Sequence, residues 1–191
     1  MGSCRRFQSL ENRLFSNDLV CKNATQKREE SRVVYGAINR KGEAYYTDLN
    51  RVLQAIGYRH KDYNWLITDC VCYPQNPAIA EMLAQDYCWL SGEQLSDLVM
   101  AENFQWIWAD LCAFDKGIAL AEVLQYELPR ADGYDGFWQM PLTMQHPLAE
   151  IEIVPWDSSM TLLLSRRKDI VDNFRNYYPE SENLGDYIRK P

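Results

Sequence analysis

The chain has 191 residues, enough for one domain with a short extension, and its 47% hydrophobic and 13% aromatic content excludes a wholly disordered protein. Its formal charge of −7 is uneven: residues 1–32 hold seven of the 20 Lys and Arg and four of the 27 Asp and Glu, leaving 13 basic against 23 acidic groups, a net of −10, in the rest. Such an acidic body repels phosphate backbones, which argues against a nucleic-acid partner, and it attracts a basic protein instead.

Residues 1–32 alternate charged, polar and isolated apolar positions and read as an arm or partly ordered extension, with residues 33–191 as a single domain. Phe7, Leu10 and Leu14 fall near helical spacing, so a short amphipathic helix is expected there. The segment lacks the continuous apolar run of a signal peptide, and no stretch of the chain approaches the ~20 apolar residues that a membrane span needs. The six cysteines, Cys4, Cys21, Cys70, Cys72, Cys88 and Cys112, sit mostly in apolar runs, as reduced thiols of a cytoplasmic protein do.

The domain opens with a predicted strand over 32–39, closed by Arg40-Lys41-Gly42. Tyr45, Leu49, Val52, Leu53 and Ile56 mark the apolar stripe of a helix, with Gly57 as its C-terminal cap. A strand over 63–73 follows, then a short helix from Pro77 to about Gln85 and a strand over 87–90. Ser91 with Gln94 forms a capping box for a helix to about Glu102. A second long strand covers 104–114, and Ile118 to Glu127 contains good helix formers. Residues 130–147 are rich in Gly, Pro and Asp and read as the longest irregular region. Glu150 to Pro155 alternates like a strand with one wet face, and Met160 to Ser165 returns from it as a hairpin. A last helix spans 168–177, and a polar surface tail ends the chain. This order predicts an α+β fold: a single mixed sheet of five or six strands with helices mainly on one face.

The two long strands repeat each other. Tyr63 to Tyr73 and Phe104 to Phe114 each read aromatic, amide, Trp, two apolar residues, a small residue, Asp, and an apolar end. The matched pairs are Trp65 with Trp106 and Asp69 with Asp110, and the strands are expected to be neighbours. Positions i and i+4 of a strand share a face, so each Trp is expected beside its Asp. If the carboxylates converge, they suit an acid/base pair or a ligand site. The alternative is that they bond backbone amides at a strand end or bulge.

Other chemistry is thin. Cys70-Val-Cys72 with Cys88, Cys112 and His60 lacks zinc-knuckle spacing, since one residue separates the thiols where two to four are the norm, and the cysteines read as small hydrophobes. His60 and His146 are the two bases available to a Cys or Ser nucleophile, without a nucleophile elbow or Gly-rich oxyanion loop beside them. No phosphate-loop, dinucleotide or zinc-hydrolase motif occurs, so no cofactor, metal or catalytic residue is assigned. Tyr134, Asp135, Phe137 and Trp138, in the long loop, form the expected contact for a protein partner, the alternative being a lid folded onto the sheet.

The order Trp65-Leu-Ile, Trp106-Ile-Trp-Ala-Asp-Leu-Cys-Ala-Phe, Glu150-Ile-Glu-Ile-Val-Pro-Trp-Asp-Ser-Ser and Met160-Thr-Leu-Leu-Leu resembles the DUF2691 type of small bacterial protein over about residues 60–178. That family carries no assigned activity, so the resemblance implies no functional residues. The acidic, aromatic-rich profile is also similar to that of bacterial immunity proteins that neutralise toxins. Two expectations result: a non-enzymatic, immunity-type protein binder, or a small enzyme or ligand binder built on Asp69 and Asp110.

Overall fold

The computed structural model describes residues 33–190. The expected arm of residues 1–32 and its helix lie outside them. Along the chain run β1 (Tyr35–Asn39), α1 (Leu49–Ala55), a 3-10 turn (Arg59–Asp62), β2 (Tyr63–Cys72), α2 (Pro77–Leu83), β3 (Tyr87–Ser91), α3 (Gly92–Ala101) and β4 (Trp106–Asp115). There follow α4 (Leu120–Val123), a second 3-10 turn (Asp135–Trp138), β5 (Ile151–Trp156), β6 (Met160–Ser165), α5 (Lys168–Tyr177), β7 (Glu182–Asn183) and α6 (Leu184–Ile188).

Local chemistry sets most boundaries. Asp48 caps α1 by accepting from the Arg51 amide, and Gly57 leaves that helix at φ +67°. Asn76 caps α2, whose first turn holds Pro77, and the Ser91–Gln94 capping box is complete at α3. The β5–β6 hairpin turns through Asp157 and Ser158, both in the left-handed region. The helix expected from Ile118 to Glu127 is one turn only: it has no capping side chain and buries Val123 alone, too little packing to extend it.

The sheet has seven strands in the order β3-β2-β4-β5-β6-β1-β7, and every pairing is antiparallel. The expected mixed sheet of five or six strands is corrected in both respects. The extra strand is two residues of the supposed surface tail, Glu182 and Asn183, which pair with β1 beside a fully buried Leu184. The helix-linked strands do not pair in parallel, because β3 and β4 flank β2 from opposite sides and each runs antiparallel to it.

The sheet is buried on both faces. Trp65, Ile67, Leu111, Ala113, Ile153 and Leu163 pack in one core with the apolar stripes of α1, α2, α3 and α5. Ile38, Leu66, Phe114, Val154 and Leu164 pack in a second core with Val123, Ala131, Phe137, Met144, Ala149 and Leu184. Four helices therefore cover the first face, whereas the irregular chain between β4 and β5, with α6, supplies the cover of the second. β2 and β4 are neighbours over almost their whole length, with Tyr63 opposite Asp115 and Cys72 opposite Trp106. No helix among the described residues is long and apolar enough to cross a membrane.

Candidate functional site

The polar groups of the repeat lie under the long loop. Their positions follow from two irregularities in the β2–β4 ladder, between Thr68 and Val71 and between Val71 and Cys72. At the first, Asp69 adopts φ +50°, and the chain changes face. Trp65 and Ile67 belong to the helical core, while the Asp69 carboxylate accepts from the amides of Ala131 (2.8 Å) and Asp132 (2.7 Å) in the loop. At the second, Trp106 is turned into the helical core, while Asp110 lies on the loop side with Cys112 and Phe114. The expectation that each Trp shares a face with its Asp is therefore wrong: a bulge intervenes in each i,i+4 interval. Both tryptophans are buried, the Trp65 ring N–H donating to the His60 carbonyl and Trp106 stacking on Phe104.

Asp110 is joined by Glu152 rather than by Asp69. Cys112 stands directly opposite Glu152 in the β4–β5 ladder, which brings Asp110 and Glu152 together on the loop side, and all three are fully buried. The Cys112 thiol donates to Asp110 Oδ1 at 3.1 Å. Gln145, from the loop, lies over both carboxyls: its side-chain amide nitrogen is 2.8 Å from Asp110 Oδ2, 3.1 Å from Glu152 Oε1 and 2.9 Å from the Arg130 carbonyl. Its backbone amide donates to Glu152 Oε2, and its side-chain oxygen accepts from the Arg130 amide. Thr68 adds a hydroxyl bond to the Pro129 carbonyl at 2.6 Å. Four strand side chains thus hold residues 129, 131, 132 and 145 of the loop, and Gln145 in turn holds Arg130.

Burial pushes the Asp110 carboxyl up to about 6, against which its hydrogen bond from Glu152 acts. Glu152 is raised well above the ordinary carboxylate range, first by burial and then by the neighbouring Asp110 charge. Two carboxyls in such contact titrate as a pair, and both are held above the ordinary carboxylate range. One ligand atom from each of Asp110, Cys112 and Glu152 lies within 4.8 Å of the others, close enough to converge on a cation. All three are fully buried, and the clefts lined by Cys70 and Cys72, by His60 and Ser96, and by Trp138 and Tyr187 do not include them.

Among the described residues, neither histidine side chain bonds a cysteine thiol. His146 is fixed as the Nε2–H tautomer: Nε2 donates to the Val123 carbonyl, Nδ1 accepts from the Leu148 amide, and the ring is wedged between Phe114 and Tyr126. His60 Nε2 bonds Ser96 at 2.7 Å, and its Nδ1 is a buried atom without a hydrogen-bond partner. Burial lowers the pKa of both rings, that of His60 to about 4.

The four expected contact residues divide. Phe137 is fully buried, edge-on to Trp156, and is a lid residue, so it is removed from the contact surface. Tyr134 is half-buried against Phe137, and Asp135 is exposed. Trp138 is half-buried, edge-on to Trp156, and lines a shallow cleft of about 470 Å³ with Tyr187, Ile188 and Lys190. The stretch after α4 presents further apolar side chains, with Leu124 38%, Tyr126 44% and Leu128 39% exposed. Around them Glu122, Glu127 and Asp132 are exposed.

Sequence reading passed over Glu152 and Gln145. Glu152 has the pattern of the wet side of an alternating strand, and its pairing opposite Cys112 is a register that sequence spacing does not supply. Gln145 carried no signal, because its role exists only once the loop folds back. Comparison of the chain with family models, with curated proteins and with solved structures returned no match.

Proposed function

We propose that this protein is a non-enzymatic protein-binding module, an immunity-type inhibitor that offers the outer surface of residues 120–140 to a basic partner. The observation that carries the reading is the exposure of Leu124, Tyr126 and Leu128 on a loop whose neighbouring residues are pinned to the sheet. Apolar side chains held at an exposed surface are a cost to a monomer and a gain to a complex. The anchoring removes much of the ordering entropy that a free loop loses on binding. Glu122, Glu127, Asp132 and Asp135 would steer a basic partner to the surface, with Tyr134 and Trp138 at its margin.

The reading is tested by recovering binding proteins from native lysate on immobilised full-length protein. Paired substitutions Asp132→Lys with Asp135→Lys, and Tyr126→Ser with Leu128→Ser, should abolish recovery of a stoichiometric basic protein and leave the melting temperature nearly unchanged. Recovery of no such protein, or equal retention by the variants, refutes it.

A ligand- or metal-binding role is the second reading. It is favoured by the approach of Asp110, Cys112 and Glu152 within 4.8 Å and opposed by the hydrogen bonds that occupy both carboxyls. It requires Zn²⁺ or Mn²⁺ to raise the melting temperature of the parent and not of Glu152→Gln.

A further inference from the structure

The bulge that separates Trp65 from Asp69 has a second effect, on the other side of β2. Cys70 and Cys72 turn to the same side, and their Sγ atoms lie 3.5 Å apart. Val71 between them is exposed. Of the four cysteines in the described residues, these two are partly exposed, whereas Cys88 and Cys112 are buried. Both cysteines line a cleft of about 440 Å³ with Tyr73, Pro74, Leu83 and Ala84, large enough for a small organic molecule. A pair of thiols at hydrogen-bond distance, opening on a cleft, is not what packing requires of two small hydrophobes.

We propose that Cys70 and Cys72 form a redox pair that reduces a low-molecular-weight disulfide bound in this cleft and is itself closed into a disulfide. Either thiol can donate the hydrogen bond between the two sulfurs; the arrangement in which Cys70 donates favours the Cys72 thiolate. In that arrangement Cys72 is the attacking sulfur. Its thiolate attacks one sulfur of the disulfide, the S–S bond breaks, and one thiolate leaves and takes a proton from solvent. Cys70 then loses its proton to solvent and attacks Cys72 Sγ, expelling the second thiolate, which is protonated in turn. Two protein thiols are oxidised and one disulfide is reduced to two thiols. The sulfurs must approach from 3.5 Å to about 2.05 Å. The register shifts on either side of Val71 mean that the closure falls where the ladder is already irregular.

The test treats the reduced full-length protein with glutathione disulfide at neutral pH, quenches with acid, alkylates free thiols and maps peptides after a digest that separates Cys70 and Cys72 from Cys88 and Cys112. The parent should lose two hydrogens within the Cys70–Cys72 peptide, with Cys88 and Cys112 alkylated. Cys70→Ser should trap glutathione on Cys72, about tenfold or more faster than Cys72→Ser acquires it on Cys70. The proposal is overturned if the parent accumulates the glutathione adduct without closing the ring. It is equally overturned if the two variants react alike, or if this pair reacts no faster than Cys88.

Discussion

The two faces of the sheet are buried by different means. On one face, four helices lay apolar stripes on Trp65, Ile67, Leu111 and Ile153, and the burial is generic: any well-packed hydrophobe of the right volume serves. On the other, an irregular chain is held by particular hydrogen bonds: Thr68 donates to a loop carbonyl, and Asp69, Asp110 and Glu152 accept from loop amides and from Gln145. A helix satisfies its own backbone and needs only an apolar surface beneath it. A loop over a sheet must find partners for its amides and carbonyls, and strand side chains supply them. Carboxylates that resemble a catalytic pair in the sequence are therefore explained first as anchors.

The largest expected effect lies on the helical face. Trp65→Ala or Trp106→Ala should each cost ~3–5 kcal/mol by leaving a cavity in a close-packed core. A domain of this size has about 5–15 kcal/mol to lose, so a melting curve should show a steep fall or no folded protein at all. A loss below 1 kcal/mol at either position would mean that the core is not organised around these rings.

The loop face should answer to smaller, polar changes. Asp69→Ala removes the acceptor for two loop amides and places alanine at φ +50°, and an expected loss of ~1–3 kcal/mol follows. Asp69→Asn keeps the oxygen and tolerates the backbone, so denaturant unfolding should place it nearer the parent. Equal losses for the two would assign the role to the charge rather than to the acceptor geometry.

The buried carboxyl pair sharpens the comparison through pH. Both folded values are raised, so the pair's contribution to stability is fully present below the unfolded value near 4.3 and is lost as pH rises through about 6 and above. His60 and His146 act oppositely: their lowered values take stability away as pH falls below about 6.5, that of His60 down to about 4. The pair is therefore isolated as a difference. Glu152→Gln should gain stability relative to the parent as pH rises from about 5 to 8, measured by urea unfolding at each pH. A parent–variant difference that does not change over that range would show that the two carboxyls are not coupled.

The smallest effect is expected at Trp138, half-buried at the margin of the loop face. Trp138→Ala should cost about 1 kcal/mol and act mainly on partner recovery. A loss comparable to that of Trp65→Ala would make it a lid residue like Phe137 and withdraw it from the binding surface.

The same contrast explains what could be read from the residues. The stripes of α1, α3 and α5, the Ser91–Gln94 box and the pairing of the two repeat strands are local or periodic, and sequence spacing locates them. The bulge at Asp69 was hidden because a single left-handed residue reverses every later side chain without altering the apolar run around it. Glu152 was hidden because a strand's wet face and a face roofed by a loop have the same alternating pattern. Leu184 was hidden in a polar tail, since one buried leucine makes no period. Phe137 had two readings, and only the position of Trp156 beneath it selects the lid.

The central claim is that residues 129–132 and 145 are fixed to the sheet while the outer stretch 124–128 stays open. Native-state amide hydrogen exchange tests it directly. The amides of Leu124, Gln125 and Tyr126 bond within the turn that ends α4, so the comparison is with Glu127 and Leu128: the amides of Ala131, Asp132 and Gln145 should be protected well above those two, and Asp69→Ala should release the first two selectively. Uniformly fast exchange from 116 to 149 in the parent, or protection of Ala131 and Asp132 that survives Asp69→Ala, would contradict the account.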